Sequence, residues 1–277
     1  MKKQLFLVLT FCCFLITTSS SAKNKTVLVD TITVKSTSMQ ALVKNVVILP
    51  DSYKNSETHY PVVYLLHGYG GSYETWIGHT KPTLQQEASK LNVIIVCPDG
   101  KNSWYWDSPE NSKSKFETYI SNELIDYIDT NYRTKANHKN RAITGFSMGG
   151  HGGLWLGINH PEVFGACGSM SGGVDIRPFP NNWDMKDLLG DYDKNPDNWN
   201  EYTVINQLHK IKPNSLSIII DCGFDDFFYE VNEELHKKLL YNNIPHEYIT
   251  RPGAHTHEYW NSAIDYQLLY FHKFFNN

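Results

Sequence analysis

Six stretches of the chain carry a short apolar run: "YPVVYLLHGYGG", "LNVIIVCPDG", "NRAITGFSMGG", "FGACGSMSGG", "SLSIIIDCGFDD" and "IPHEYITRPGAHTH". Short runs of this kind suit strands covered on both faces, as in a parallel sheet. Residues 27 to 50 differ. There Val, Ile and Thr alternate with polar residues, which predicts one or two edge or hairpin strands. Between the apolar runs the spacing turns helical. Thr83 to Lys90 is one such segment, and "KFETYISNELIDYIDTNY" sets Tyr119, Ile120, Leu124, Tyr127 and Ile128 on one face. "GGHGGLWLGINHP", "YEVNEELHKKLLYNNI" and "WNSAIDYQLLYFHKFF" follow. Strands alternating with helices predict an α/β fold with a mostly parallel, doubly wound sheet, here with antiparallel N-terminal strands. Val174 to Pro213, rich in Asn, Asp, Trp and Pro, reads as a cap-like insertion within the one domain.

The first residues follow another logic. Lys2 and Lys3 precede an apolar run from Leu5 to Ile16, and small residues close it at Ser20, Ser21 and Ala22. That order is a secretory signal peptide, with residues 1–22 removed and residues 23–277 forming a single domain. The run is short for a membrane span. The expected location is therefore periplasmic or extracellular, with no membrane attachment once the leader is gone.

Of five cysteines, Cys12 and Cys13 leave with that segment. Cys97, Cys167 and Cys222 stay in apolar or glycine-rich runs, where buried free thiols are expected. No spacing of His and Cys suggests zinc. A net charge of −4 without a Lys/Arg cluster argues against nucleic acid as a partner. With 41% hydrophobic residues a sizeable core is available, and 17 Tyr and 7 Trp also suit a site for flat or sugar-like ligands.

Gly145-Phe146-Ser147-Met148-Gly149 is G-x-S-x-G between a strand-like and a helix-like run. On such a turn the serine takes a strained conformation, and the glycines let neighbouring backbone pass. The following helix turns its N-terminal amides toward the serine. A serine hydroxyl needs a base, and the base needs an acid to orient it. In this topology both come later, each after a strand. Asp225 and Asp226 follow one strand; His255 and His257 follow the next. Adjacent positions point opposite ways, and the residues alone leave both choices open. An oxyanion would be held by two backbone amides, Met148 N–H and, from the loop after "VVYLLHG", Tyr69 N–H. His67 in that loop reads as a support.

Taken together, "LLHGYGGSYETW", "PDGKNSWYWDS", "FETYISNELIDYID", "GFSMGGHGGLWLGINHPEVFGACGSMSGG", "CGFDDFFYE" and "GAHTHEYW" resemble the esterase D-like family of α/β-hydrolases. That family includes secreted feruloyl and acetyl carbohydrate esterases, tributyrin-type esterases and S-formylglutathione hydrolases. The resemblance implies an α/β-hydrolase fold and a Ser-His-Asp triad. Its C-G-x-x-D-x-F pattern puts the acid at Asp226, and its G-x-H-x-x-x-x-W pattern puts the base at His255. The chain departs from the family at His257, where members often carry Trp.

The activity implied is a secreted serine carboxylesterase. Its substrates would be feruloyl or acetyl groups of plant polysaccharides, or short-chain esters. No metal or organic cofactor is implied, and the expected partner is a small ester or acylated carbohydrate. Trp104 and Tyr105 are the candidate platform for a sugar or phenolic ring, with Trp106 beside them. His151, four residues after Ser147, is a further candidate contact and reads as a packing or hydrogen-bonding residue, not a base. Alternative readings are an acyltransferase to sugar hydroxyls, an S-formylglutathione hydrolase-like thioesterase and a non-catalytic carbohydrate-binding relative.

Overall fold

The computed structural model describes residues 28–277; the leader read over residues 1–22 lies outside them. Strands β1 (Val29–Ser36) and β2 (Ala41–Ile48) form an antiparallel hairpin, Val29 opposite Ile48 and Ser36 opposite Ala41. β1 buries every second residue of its C-terminal half, as an edge strand with one wet face does. β3 (Val62–Leu66) and β4 (Ile94–Pro98) follow, with α1 (Leu84–Leu91) between them, and both strands are buried at every position. Next come α2 (Phe116–Thr118), a π-helical turn (Tyr119–Glu123) and α3 (Leu124–Asn131). The spacing reads as one continuous helix, and the π turn interrupts it. There Glu123 accepts from Ser36 Oγ at 2.6 Å and Ser38 N–H at 2.7 Å, which ties the helix to the hairpin.

β5 (Arg141–Gly145), α4 (Met148–Asn159) and β6 (Ala166–Met170) form the centre of the fold. The insertion contributes α5 (Lys186–Leu189) and α6 (Pro196–Glu201). The chain closes with β7 (Ser217–Gly223), α7 (Tyr229–Tyr241), β8 (Glu247–Arg251) and α8 (His257–Phe275). The eight strands lie in the order β1-β2-β4-β3-β5-β6-β7-β8; β1 and β2 pair antiparallel with each other and β2 with β4, and every other neighbour is parallel.

The period of two along β3 divides the core. Val62, Tyr64 and Leu66 face one layer with α3, α4 and α7, while Val63 and Leu65 face the other with α1 and α8. The insertion belongs to the first layer: Val174, Met185, Leu189, Trp199 and Val204 are all buried in it. It is a cap built onto the core of a single α/β-hydrolase fold. Cys97, Cys167 and Cys222 are buried free thiols.

Candidate active site

Ser147 stands between the end of β5 and the start of α4 with φ 58° and ψ −120°. An L residue with positive φ is strained by roughly 1–3 kcal/mol unless its surroundings hold it. Here they do: Ser147 N–H donates to Met170 O at 2.9 Å, and its own carbonyl accepts from His151 N–H at 3.0 Å. The glycines explain how the helix can lie so close. A Cβ on Gly149 would sit 2.6 Å from the carbonyl oxygens of both Leu66 and His67, and one on Gly153 would sit 2.4 Å from Gly168 O. The glycine-rich turn thus brings α4 onto the strand ends and leaves the serine projecting above them.

The acid and base positions resolve through the loops that carry them. Beyond β7 and β8 the ladder continues: Phe224 N–H donates to Arg251 O at 3.1 Å and Asp225 N–H to Gly253 O at 3.0 Å. With that backbone fixed, Asp225 points to solvent and Asp226 is buried. Thr256 caps α8, its hydroxyl accepting from Tyr259 N–H at 3.3 Å. His255 therefore stays in the loop ahead of the helix, and His257 begins the helix. His255 Nδ1 lies 3.0 and 2.9 Å from the two carboxylate oxygens of Asp226, and its Nε2 lies 2.9 Å from Ser147 Oγ. A carboxylate at Nδ1 keeps the ring proton there, so Nε2 faces the serine as an acceptor. Phe228 N–H gives Asp226 Oδ1 a further bond at 2.8 Å. His257 turns elsewhere, its Nδ1 2.8 Å from Thr80 Oγ1.

Two amides lie in the segments beside the serine. Met148 N–H opens α4, and Tyr69 N–H lies in the loop after β3; neither donates to a protein acceptor among the described residues. The loop is held from below. Buried His67 receives Gly100 N–H on Nε2 at 2.8 Å and donates from Nδ1 to Gly68 O at 2.7 Å, so it is the neutral support of that turn.

The aromatic platform expected at Trp104 and Tyr105 is not present. Trp104, Tyr105 and Trp106 are at most 1% exposed. Tyr105 fills the slot between Gly100 and Gly152, and its hydroxyl donates to His67 O at 2.9 Å. Trp104 and Trp106 stack with centroids 5.5 Å apart behind the site. Both Trp104 and Tyr105 have positive φ, 54° and 63°, which aims their rings into the core. His151 is also removed from substrate. It is fully buried, accepts from Trp106 Nε1 at 2.8 Å and donates from Nδ1 to Gly173 O at 2.9 Å. Burial brings its pKa down to about 4, so it is a neutral core residue near pH 7.

The open space lies elsewhere. A cavity of about 600 Å³ contains Ser147 and His255 and is walled by Tyr69, Trp183, Phe227 and Trp260 on the aromatic side. Trp183 comes from the insertion, where it and Asp184 share φ 52° and Asp184 accepts from the Tyr69 hydroxyl. Its ring stacks on Phe227, 5.9 Å and 20° apart, and Phe227 lies 4.2 Å from the His255 ring. Glu74, His79 and His257 line it as well. Trp183, Phe227, Glu74 and His79 carry no motif that would single them out in the sequence. Among the described residues no group of three His, Cys, Asp or Glu side chains is arranged to hold a metal ion.

Residues 36–271 match the family model described as "Putative esterase". The chain is 27% identical over 221 residues to an acetyl esterase from Caldicellulosiruptor saccharolyticus, covering 73% of this chain and 79% of that protein. It is 34% identical over 134 residues to an esterase from Mycobacterium tuberculosis, a stretch that is 47% of this chain and 29% of that longer protein. A solved ferulic acid esterase superposes with a TM-score of 0.76 at 28% identity, over 89% of this chain and 98% of its own. With that match over most of its length, and with the fold and motifs already described, the chain belongs to the esterase D-like family of α/β-hydrolases and is a carboxylic ester hydrolase.

Proposed function

We propose that the protein is an exported serine esterase in which Ser147, His255 and Asp226 form the catalytic triad. The observation that carries this reading is the unbroken path from Asp226 through His255 to Ser147 Oγ, with the serine donor-to-acceptor distance at 2.9 Å. Ser147 Oγ attacks the ester carbonyl as His255 Nε2 takes its proton. The resulting imidazolium faces the buried carboxylate of Asp226, which stabilises the charge without leaving its bond to Phe228 N–H. The tetrahedral oxyanion is held by the Tyr69 and Met148 amides, the second aided by the N-terminus of α4. His255 then returns the proton to the departing alcohol, and a water molecule hydrolyses the acyl-enzyme by the same steps.

The aromatic wall of Trp183 and Phe227 supports an aromatic acyl group over a bare acetyl. The relatives are named acetyl esterase and ferulic acid esterase, and this wall favours the second. The leader-like order of charged, apolar and small residues over 1–22 supports action outside the cytoplasm.

Turnover of methyl ferulate and 4-nitrophenyl acetate by the wild type and Ser147→Ala tests the reading. Loss of at least about a thousandfold in kcat on both esters, with unchanged thermal unfolding, is expected for removal of the nucleophile. Retained turnover by the alanine variant overturns it. Faster turnover of the acetate alone would leave the nucleophile in place and reject the aromatic acyl group.

A further inference from the structure

The sheet ends at β8, which pairs with β7 on one side only. Which of its main-chain groups face outward follows from one bond. Arg251 O accepts from Phe224 N–H, so Arg251 turns its N–H and C=O toward β7, and by the alternation of a strand Ile249 and Glu247 do the same. Tyr248 and Thr250 therefore turn theirs away from the sheet, and neither meets a main-chain partner there among the described residues. A free row of donors and acceptors is a template for another strand. Pro252, at the next outward position, has no N–H and stops the row.

This strand is complementary to itself. Two copies laid antiparallel about a two-fold axis at Ile249 set each Glu247 opposite the other copy's Arg251, Tyr248 opposite Thr250, and Ile249 opposite Ile249. In that register each Tyr248–Thr250 pair exchanges two main-chain bonds, and the charge pairs fall at the closer, unbonded positions. Moving the axis by one residue puts Ile249 opposite Glu247 or opposite Arg251 and loses both charge pairs. Glu247 is exposed. Arg251 is fixed beforehand, 3.2 Å from Asp221 and stacked between the rings of Tyr259 and Tyr266 at 4.6 and 4.7 Å. The other edge, β1, offers no such match. Its charges, Asp30 and Lys35, are an odd number of residues apart, and two-fold pairing of a strand with itself opposes only positions an even number apart.

A short two-stranded ladder is marginal by itself, so apolar surface must be covered with it. That surface flanks the strand on both faces. On one face His236 of α7 stacks on Tyr248 at 4.3 Å. On the other, a groove of about 360 Å³ between β8 and α8 is lined by Ile249, Tyr266, Leu269 and Phe274, with Glu247 and Lys273. Of the eight large apolar side chains exposed among the described residues, four stand on these two helices: Leu240 and Tyr241 on α7, Tyr266 and Leu269 on α8.

We propose that the protein is a homodimer closed by antiparallel pairing of β8 with β8 of a second copy, which joins the two sheets into one. The α8 face of each copy then meets that of the other and covers Tyr266 and Leu269. None of the residues that pair or are covered lines the cavity around Ser147.

Sedimentation equilibrium and cysteine cross-linking of the purified protein test this. The wild type is expected to be a dimer at micromolar concentration. Glu247→Lys opposes like charges at both ends of the ladder, and Leu269→Glu places a carboxylate in the covered face. Each should raise the dimer Kd by at least about tenfold. Turnover of 4-nitrophenyl acetate should stay at the wild-type level in both, which reports that they are folded. Cross-linking reads the register. In Ile249→Cys the two thiols meet across the axis, with Cα atoms about 4.5 Å apart, and oxidised glutathione should link them. Thr250→Cys, opposite Tyr248, should not link, and Cys97, Cys167 and Cys222 are buried. A wild type that stays monomeric up to about 100 μM overturns the proposal. So does a dimer that both surface variants leave intact, or one that links through Thr250→Cys as readily as through Ile249→Cys.

Discussion

Replacing Asp226 by Asn tests the coupling between acid, base and nucleophile with almost no change in shape. In the native site Asp226 Oδ1 accepts from Phe228 N–H at 2.8 Å, and both carboxylate oxygens lie within 3.0 Å of His255 Nδ1. An Asn at this position keeps its carbonyl oxygen on Phe228 N–H, since its amide nitrogen has no acceptor there. The amide NH2 group is then turned toward His255 Nδ1. A donor facing that nitrogen forces the ring proton onto Nε2, which points at Ser147 Oγ from 2.9 Å. The histidine then cannot take the serine proton. Loss of the correct tautomer, together with the missing negative charge beside the imidazolium, should lower kcat by about a thousand- to ten-thousandfold. That is about 4–5.5 kcal/mol of transition-state stabilisation, at 1.36 kcal/mol per tenfold.

Stability should move far less. The bond from Phe228 survives, and the charge-assisted bond at His255 is replaced by a neutral one, so unfolding in urea should change by about 1 kcal/mol. Asp225, one residue earlier and exposed, provides the control, and Asp225→Asn should leave kcat within about twofold. The assay is steady-state turnover of 4-nitrophenyl acetate beside urea unfolding of each variant. A fall of less than about tenfold for Asp226→Asn, or an equal fall for Asp225→Asn, refutes the assignment of the acid.

Two further predictions concern what surrounds the site. His151 is buried and neutral with its pKa lowered from 6.5 to about 4, so the unfolded chain takes up its proton first as pH falls. Its contribution is complete above about pH 6.5 and drains away toward pH 4, a loss of about 3 kcal/mol. Unfolding free energies of the wild type and His151→Gln, measured between pH 7 and 4, should converge by that amount, and parallel curves would remove His151 from the account. Gly149→Ala places a methyl group 2.6 Å from the carbonyl oxygens of Leu66 and His67, backbone atoms that cannot turn aside. α4 must then lift from β3, carrying Ser147 and the Met148 amide with it. A cost of about 2 kcal/mol in stability and at least a tenfold fall in kcat are expected; an alanine variant with wild-type melting and turnover would show that the close approach is dispensable.

How much of this was legible beforehand depends on which level of structure decided each point. The sheet was legible because a strand buried on both faces reads as a short, mostly apolar run, clearest in β3 and β4 and carried in β7 by Ile218 to Ile220. Ser147 was legible because strand, glycine, serine, glycine and helix must follow one another in the chain for the turn to form. The choice between Asp225 and Asp226 was not local. It is made by a bond from Asp225 N–H to Gly253 O, between loops 28 residues apart in sequence. The choice between His255 and His257 is made by Thr256 acting as a helix cap, a role that a threonine between two histidines does not announce. Family resemblance separated both pairs where spacing could not.

The aromatic residues mark where reading from composition misled. "WYW" at Trp104 to Trp106 has the same composition whether it lines a cleft or sits under one, and here two consecutive positive φ angles turn it inward. One ring that does face the cavity, Trp183, lies in the insertion and has the same kind of backbone conformation, at φ 52°. In both cases the deciding quantity is a backbone angle that only tertiary contacts can hold, for Tyr105 its bond to His67 O and for the Trp183–Asp184 pair the bond that the Tyr69 hydroxyl donates to Asp184. That second bond joins the insertion to the loop that carries the Tyr69 amide. The Trp183 wall and the proposed oxyanion donor are therefore held by one contact, and a change in the insertion at Asp184 reaches both.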